Sequence, residues 1–394
     1  MAPVDHDDFT LPWLWLGTWS LGGEGFGPHD GSEALATLEA ALEAGIRSFD
    51  TAGFYAHGRS EQLLSKLIAQ QKRQKLFIAS KGGLSWQGKN VIHCTNRNAL
   101  RQSLFTSLER LKTDYLDLYQ LHWPDPQTPI ETSLETLQGL QEDGLILRWG
   151  VCNFSVEQIQ AYLPSRGLIP HQVHHNPLHR ADDILAAGKA NQRCLNCITS
   201  PLEQGLLGTG KSAQGLAVLG KRDARQRNPL FHSDQIKMEL AHFVAKIKTT
   251  PLAQVSAVFL ELLSSPLVDV VISGARTRKQ LAEVLAHQEW LRLWDINLEK
   301  AEDKVVLAAK LREMVPSFLK KWISMILMLL ERHYTIVLLI KIIPYQAASM
   351  SLKKKTANCF LRMWVPLSLK RFRASLNRMP HRNYIEIRFW LRLW

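Results

Sequence analysis

Three stretches decide the fold: FDTAGFYAHGRSE at 49–61, FIASKGG at 77–83 and LDLYQLHWPDP at 116–126. Each carries a short apolar run into a cluster of polar, Gly or Pro residues, the signature of a strand that ends in a loop. Working outward, the same signature recurs. Strands are predicted at 13–19, 46–52, 75–80, 116–122, 146–151, 170–174, 195–200 and 268–272, eight in all.

Helical periods fill the gaps between them. Leu35, Leu38 and Leu42 are spaced for one face, with Ser32 as N-cap and Gly45 beyond the end. Ser60 precedes Leu63, Leu64, Leu67 and Ile68, and Leu100, Leu104, Leu108 and Leu111 form an apolar stripe. Ser155 with Gln158, and Thr277 with Gln280, read as capping boxes. Thr250-Pro251 reads as a cap followed by Pro at the first helical position. The helix after strand six, around 181–190, has the weakest pattern. Eight β/α units in about 280 residues predict an α/β fold, a (β/α)8 TIM barrel. A doubly wound open sheet is the competing architecture, because alternation does not distinguish closed from open.

The chain has 394 residues, 46% apolar and 21% charged, which excludes wholesale disorder and collagen-like repeats. Its +12 charge, taken whole, suggests an acidic partner. The distribution removes that inference for most of the chain. Residues 316–394 hold 15 Lys and Arg against 2 Asp and Glu, and contain no Gly and no Asp. The rest is nearly neutral. Two parts are therefore expected: 1–315, the barrel, and 316–394, a basic tail. No nucleic acid is expected on the barrel.

Trp322 to Pro344 is apolar but interrupted by Glu331-Arg332-His333, so it is not expected to span a membrane. Contact with a membrane surface or nucleic acid through the tail's basic and aromatic residues is the minor reading. Its abrupt composition resembles out-of-frame or read-through sequence. Five cysteines, sparse and odd in number, and an acidic N-terminus without an apolar run predict a cytoplasmic protein.

In a barrel the strand C-termini share one mouth. Asp50, Tyr55, Lys81 and His122 all lie at such ends or just beyond. An acid, a phenol, an amine and an imidazole are thus expected in one pocket. Taken singly, each has a plain structural reading, such as a loop-capping Asp or a satisfied core His.

These residues sit in motifs that resemble the aldo-keto reductases. The resemblance covers about residues 10–310, through FDTAGFYAHGRSE, LERLKTDYLDLYQLHW, GVCNFS, SPLEQGLLGTGK and SGARTRKQLAE. It implies hydride transfer between a nicotinamide cofactor, NADPH (NADP+), and a small-molecule carbonyl. It also implies roles: Tyr55 as general acid, Lys81 as the group lowering its pKa, Asp50 as partner of Lys81, and His122 orienting the carbonyl. The chemistry suits those types, because carbonyl reduction needs a proton on oxygen and a phenol is protonated at neutral pH.

The resemblance also assigns a cofactor site. Gly17, Thr18 and Trp19 end strand one. Asn153 and Gln172 face the nicotinamide carboxamide, where Cys152 replaces the family's usual Ser. Ser200, Pro201, Leu202, Gln204 and Gly205 wrap the pyrophosphate. Gly274, Ala275, Arg276, Gln280 and Glu283 meet the adenosine phosphate, with Arg276 suited to a 2′-phosphate. Val284 stands where the family often has Asn. Trp19, Phe54, Trp86 and Trp123 are candidates for an aromatic substrate pocket.

Other signals read as structural. GLLGTGKS at 205–212 matches the P-loop pattern, but Pro201 to Gln204 separate it from the strand, so an NTPase is a minor alternative. Cys194 and Cys197 form a lone CxxC, and His171, His174, His175 and His179 would alternate between strand faces. No metal is expected. A regulatory barrel that binds cofactor with little turnover is the main functional alternative.

Overall fold

The computed structural model describes residues 12–27, 30–88, 90–209, 219, 223–248, 250, 252–298 and 301–314. The readings of the basic tail and of the N-terminus lie outside these residues, as do Gly210, Lys211 and Ser212 of the P-loop match.

Short strands rich in β-branched and aromatic residues build the barrel. They are β1 (Leu14–Gly17), β2 (Ser48–Asp50), β3 (Phe77–Gly82), β6 (Leu118–Leu121), β7 (Trp149–Cys152), β8 (Ile169–His174), β9 (Cys194–Thr199) and β10 (Val270–Gly274). All pair in parallel, and the order β1-β10-β9-β8-β7-β6-β3-β2 closes on itself. Closure excludes the open doubly wound sheet, and all eight expected strands are present.

A hairpin, β4 (Leu84–Gln87) with β5 (Asn90–His93), interrupts the third unit and was not expected. Its one legible signal was Gly88, which takes φ +64° at the turn. The strands are only four residues each, and Val91 and Ile92 are exposed, so no buried face marks the period.

The helices are α1 (Gly31–Glu43), α2 (Arg59–Ile68), α3 (Arg97–Leu111), α4 (Ile130–Glu142), α5 (Val156–Tyr162) and α6 (Asp182–Lys189). They continue with α7 (Asp234–Ile247), α8 (Gln254–Leu263), α9 (Arg278–Leu285), α10 (His287–Leu293) and α11 (Ala301–Met314). Two predicted starts move. Asp30, not Ser32, caps α1, its carboxylate accepting from the Ser32 amide at 2.8 Å. The helix expected from Pro251 begins at Gln254, because the Thr250 hydroxyl accepts from the Leu252 amide in a turn instead. The Ser155–Gln158 capping box is complete. At Thr277 only half of one forms, since the Gln280 side chain accepts from the Arg276 amide. Among the described residues, no helix is long and apolar enough to cross a membrane.

Alternation along the strands splits the core. Trp15, Phe77, Ala79, Leu118, Cys197, Val270 and Ile272 form a separate buried cluster, the barrel's own filling. Phe49, Ile78, Tyr119, Val151, Val173, Ile198 and Val271 join the larger cluster between strands and helices. Cys194 belongs to that outer layer and Cys197 to the inner one, so the CxxC pair is split between layers and both thiols are free. Burial of the apolar faces on both sides stabilises the barrel by about 25 cal/mol per Å².

Candidate active site at the barrel mouth

Register puts the polar side chains at one end. Asp50 is level with Gly17 on β1 and Ala79 on β3, Lys81 pairs with Gln120 on β6, and Cys152 pairs with Gln172 on β8. With a side-chain period of two, Asp50, Lys81, Gln120, Cys152 and Gln172 continue the inward rows that start as apolar filling. The last inward layer is therefore polar, and it is the floor of the mouth.

That floor is tightly bonded. Lys81 Nζ donates to Asp50 Oδ1 and Oδ2 at 2.7 and 2.8 Å, and to the Thr51 carbonyl at 2.8 Å. The ammonium is only 2% exposed and the carboxylate 3%, so each charge depends on the other. Gln172 Nε2 donates to Asp50 Oδ1 at 2.6 Å and to Gln120 Oε1 at 2.7 Å. Both amide hydrogens are thus spent downward. Gln120 and its bond were not read from the sequence; an amide inside an apolar strand run was the available signal.

Tyr55 and His122 stand above the floor, both half-buried. Tyr55 lies in a 3-10 turn, Tyr55–Gly58, in which Ala56 and His57 take left-handed φ of 48° and 54°. Its hydroxyl accepts from Lys81 Nζ at 3.3 Å. The Tyr55 and His122 rings meet edge to face with centroids 5.7 Å apart. All four predicted residues therefore converge.

Burial pushes the Tyr55 phenol up to about 12, while the Lys81 ammonium acts in the opposite direction and lowers it. For Lys81 burial opposes the charge, but Asp50 and then Tyr55 outweigh it and raise the pKa above the ordinary value. Burial, helped by the nearby Lys81 charge, lowers His122 well below the usual imidazole range. The mouth thus holds a protonated phenol, an ammonium–carboxylate pair and a neutral imidazole. The His122 Nδ1 atom is buried without a hydrogen-bond partner among the described residues. Cys152 is also pushed up, to about 12, by burial, and so remains a thiol.

Aromatic rings line one side. Phe54 and Trp86 stack at 4.5 Å and 9°, the indole N–H donating to the Phe54 carbonyl at 3.2 Å. Trp19 stacks against Tyr55 at 6.1 Å and Phe54 meets His122 at 6.2 Å. Trp123 is 44% exposed and packs edge-on against His93 of the hairpin, apart from the stacked pair.

The predicted cofactor residues form an arc on the other side. Gly17 and Gly274 are paired at adjacent strand ends. A Cβ at Gly274 would stand 3.3 Å from Ser20 Oγ, itself buried without a partner among the described residues. Asn153, at φ +60°, donates from Nδ2 to the His122 carbonyl at 3.0 Å. Ser200 and Gln204 take φ of 53° and 52° beside Pro201, Leu202 and Gly205. Arg276 reaches the carbonyls of Phe26 and Gly27, and Arg225 is close enough to lower its pKa after burial has done so. Arg225 itself is held by Asp223 in a two-pronged ion pair and was missed by the sequence reading. Gln280 accepts from the Arg276 amide, and Glu283 accepts from the Thr209 hydroxyl at 2.9 Å. Ala275 and Val284 are buried. Backbone without side chains, the orphaned Ser20 hydroxyl and the Arg276 guanidinium are a donor set that fits a nicotinamide dinucleotide.

The histidine-rich run is engaged elsewhere. His171 accepts from the Phe154 amide, His175 from the Ala181 amide, and His174 meets Glu203 at 2.7 Å with His179 stacked on it. Residues 203–205, which lead into the P-loop match, form a 3-10 turn after β9, so no strand runs directly into it.

Comparison with known proteins gives this arrangement its class. The model of the aldo/keto reductase family matches residues 14–305, and the chain belongs to that family. It is an oxidoreductase of carbonyl compounds that uses a nicotinamide cofactor. Aldo-keto reductase YhdN of Bacillus subtilis (strain 168) is 34% identical over 296 residues, covering 73% of this chain and 87% of the relative. The NADH-specific methylglyoxal reductase of Escherichia coli (strain K12) is 29% identical over 336 residues, covering 79% and 97%. The structure of a glycerol dehydrogenase from Gluconobacter oxydans superposes with a TM-score of 0.62 at 30% identity, covering 78% of this chain and 94% of that one.

Proposed function

We propose that the protein reduces small aldehydes or ketones to alcohols with NADPH, and that Tyr55 supplies the proton. The observation that carries this is the bonded line Asp50–Lys81–Tyr55, with steps of 2.7 and 3.3 Å, beside a neutral His122. A reduced nicotinamide bound against Gly17, Asn153 and Gln172 supplies the hydride to the carbonyl carbon.

The chain's own groups manage the oxygen. Tyr55 holds its proton across the neutral range and gives it to the oxygen as negative charge develops there. The phenolate left behind is stabilised by Lys81 at 3.3 Å, whose charge Asp50 keeps in place. His122, neutral, donates one N–H to the same oxygen and positions it. Gln172 has both amide hydrogens engaged, so its carbonyl oxygen is what would be left to hold a nicotinamide carboxamide. The Phe54–Trp86 stack and Trp19 give the substrate an apolar wall.

The preference for NADPH rests on Arg276, whose guanidinium suits a 2′-phosphate, with the Asp223-bound Arg225 beside it. One relative is named as NADH-specific, so the two cofactors belong side by side in the assay. The substrate panel includes methylglyoxal, glycerol in the oxidative direction and larger aromatic aldehydes. Tyr55→Phe is expected to lower kcat by about a thousandfold or more while the NADPH dissociation constant stays within about twofold. Turnover near the parent rate in that variant overturns the assignment of the proton donor.

A further inference from the structure

Glu203 is a carboxylate that no part of the proposed chemistry uses, and its side chain is fully buried. Three side chains converge on it, two of them amide donors. His174 Nε2 at the end of β8 lies 2.7 Å from Oε2, and Asn176 Nδ2 from the following loop lies 2.6 Å from the same oxygen. Asn228 Nδ2, from beyond residue 222, lies 3.0 Å from Oε1. Burial by itself would raise the Glu203 pKa, but these bonds outweigh it and hold the carboxyl below its usual range.

The two amide donors cannot turn round. Asn176 Oδ1 accepts from the amides of Leu178 and His179, and its Nδ2 also donates to the Ser200 carbonyl at 3.0 Å. Asn228 Oδ1 accepts from the Leu230 amide as the cap of the turn Pro229–Phe231. Both nitrogens are therefore aimed at Glu203, which must accept on both oxygens. A carboxylate does that with both oxygens; a glutamine would set an N–H against one of the donors.

The backbone around Glu203 needs such a fixture. Ser200, Glu203 and Gln204 are all left-handed, with φ of 53°, 44° and 52°. Non-glycine residues in this region cost about 1–3 kcal/mol each and persist only where their surroundings hold them. The hub holds them, together with the Asn176 bond to Ser200 and an Arg225 bond to the Gln204 carbonyl at 3.4 Å.

We propose that Glu203 is a positioning residue: its carboxylate ties Ser200–Gly205 to the segment around Asn228, and so sets how long the cofactor stays bound. This rests on the reading that Ser200–Gly205 wraps the cofactor's pyrophosphate. The hub residues Glu203, His174, Asn176 and Asn228 are not among those assigned to cofactor or substrate. The hub fixes the shape that the segment presents, so its loss shows in release and not in hydride transfer.

The test compares the full chain with Glu203→Gln and Asn228→Ala. The first neutralises the hub; the second cuts only its distant tie and serves if the first folds poorly. NADPH dissociation is followed by stopped-flow fluorescence, and amide hydrogen exchange over Ser200–Thr209 is measured without cofactor. Both variants are expected to release NADPH about tenfold faster and to exchange faster over that segment. Single-turnover hydride transfer at saturating NADPH is expected to stay within about twofold of the parent. Parent-like release in both variants, even with a lower melting temperature, overturns the inference and leaves the proposed function intact. A parent chain that binds no nicotinamide cofactor overturns the functional reading and this inference with it.

Discussion

The floor of the mouth and the arc beyond β9 solve the same problem in opposite ways. Each keeps charged groups out of water and in a fixed geometry. The floor does it with strands: Asp50, Lys81 and Gln120 sit on the successive strands β2, β3 and β6, and Gln172 on β8, one strand further round past Cys152 on β7. The arc does it with irregular backbone, where left-handed residues are pinned by the buried Glu203 and by Asp223 with Arg225. A strand needs no outside help to hold a side chain at its end. A left-handed loop does, and its strain is offset by hydrogen bonds from distant segments. The difference teaches where precision is intrinsic to the fold and where it has been added.

The comparison breaks most visibly at Lys81. Lys81→Met leaves Asp50 buried and unpaired, a change that costs about 3–5 kcal/mol. It also removes the charge that stabilises the Tyr55 phenolate, so kcat is expected to fall by about two to three orders of magnitude. Thermal unfolding and steady-state turnover check both. Pairing it with Asp50→Leu is expected to recover most of the stability and none of the activity, which separates structure from chemistry.

On the arc, the effects are smaller and fall on binding. Arg276→Ala is expected to raise the KM for NADPH by about tenfold to a hundredfold and to change that for NADH little. Measuring both cofactors with one carbonyl checks it. An equal loss for both would mean that Arg276 holds the loop at Phe26 and Gly27 and not a 2′-phosphate.

The smallest effect belongs to pH. Tyr55 is raised to about 12 by burial, so its acid form persists through neutrality and is lost only as pH climbs toward that value. His122 is lowered by burial, so its neutral form persists until pH falls well below the usual 6.5. The reductive kcat/KM is therefore expected to be flat from about pH 6 to about pH 9. A bell with a limb near neutrality would show that the floor is more solvated than its burial implies. The proton-accepting direction should instead rise with pH, since it needs the phenolate.

The fold was legible because barrel strands and helices repeat local patterns. Polar residues after Phe49, Ala79 and Leu121 marked the strand ends, and topology then brings those ends together. The four residues of the mouth followed from the same logic. What escaped the reading had no local signature. The β4–β5 hairpin has no buried face, and the α1 cap went to Asp30 because a side chain's choice among neighbouring amides is a matter of final geometry.

The eight β/α units, the family and the residue types that meet at the mouth are written in local stretches of the chain. Chain order along a strand fixes facing, and a closed barrel makes strand ends neighbours. The tertiary structure alone decided the state of those residues. It set the balance at Tyr55 between burial, which raises the pKa, and the Lys81 charge, which lowers it, because desolvation depends on what packs around the ring. It also made Glu203 a hub, because a carboxylate's partners at 174, 176 and 228 are brought together only by the folded chain.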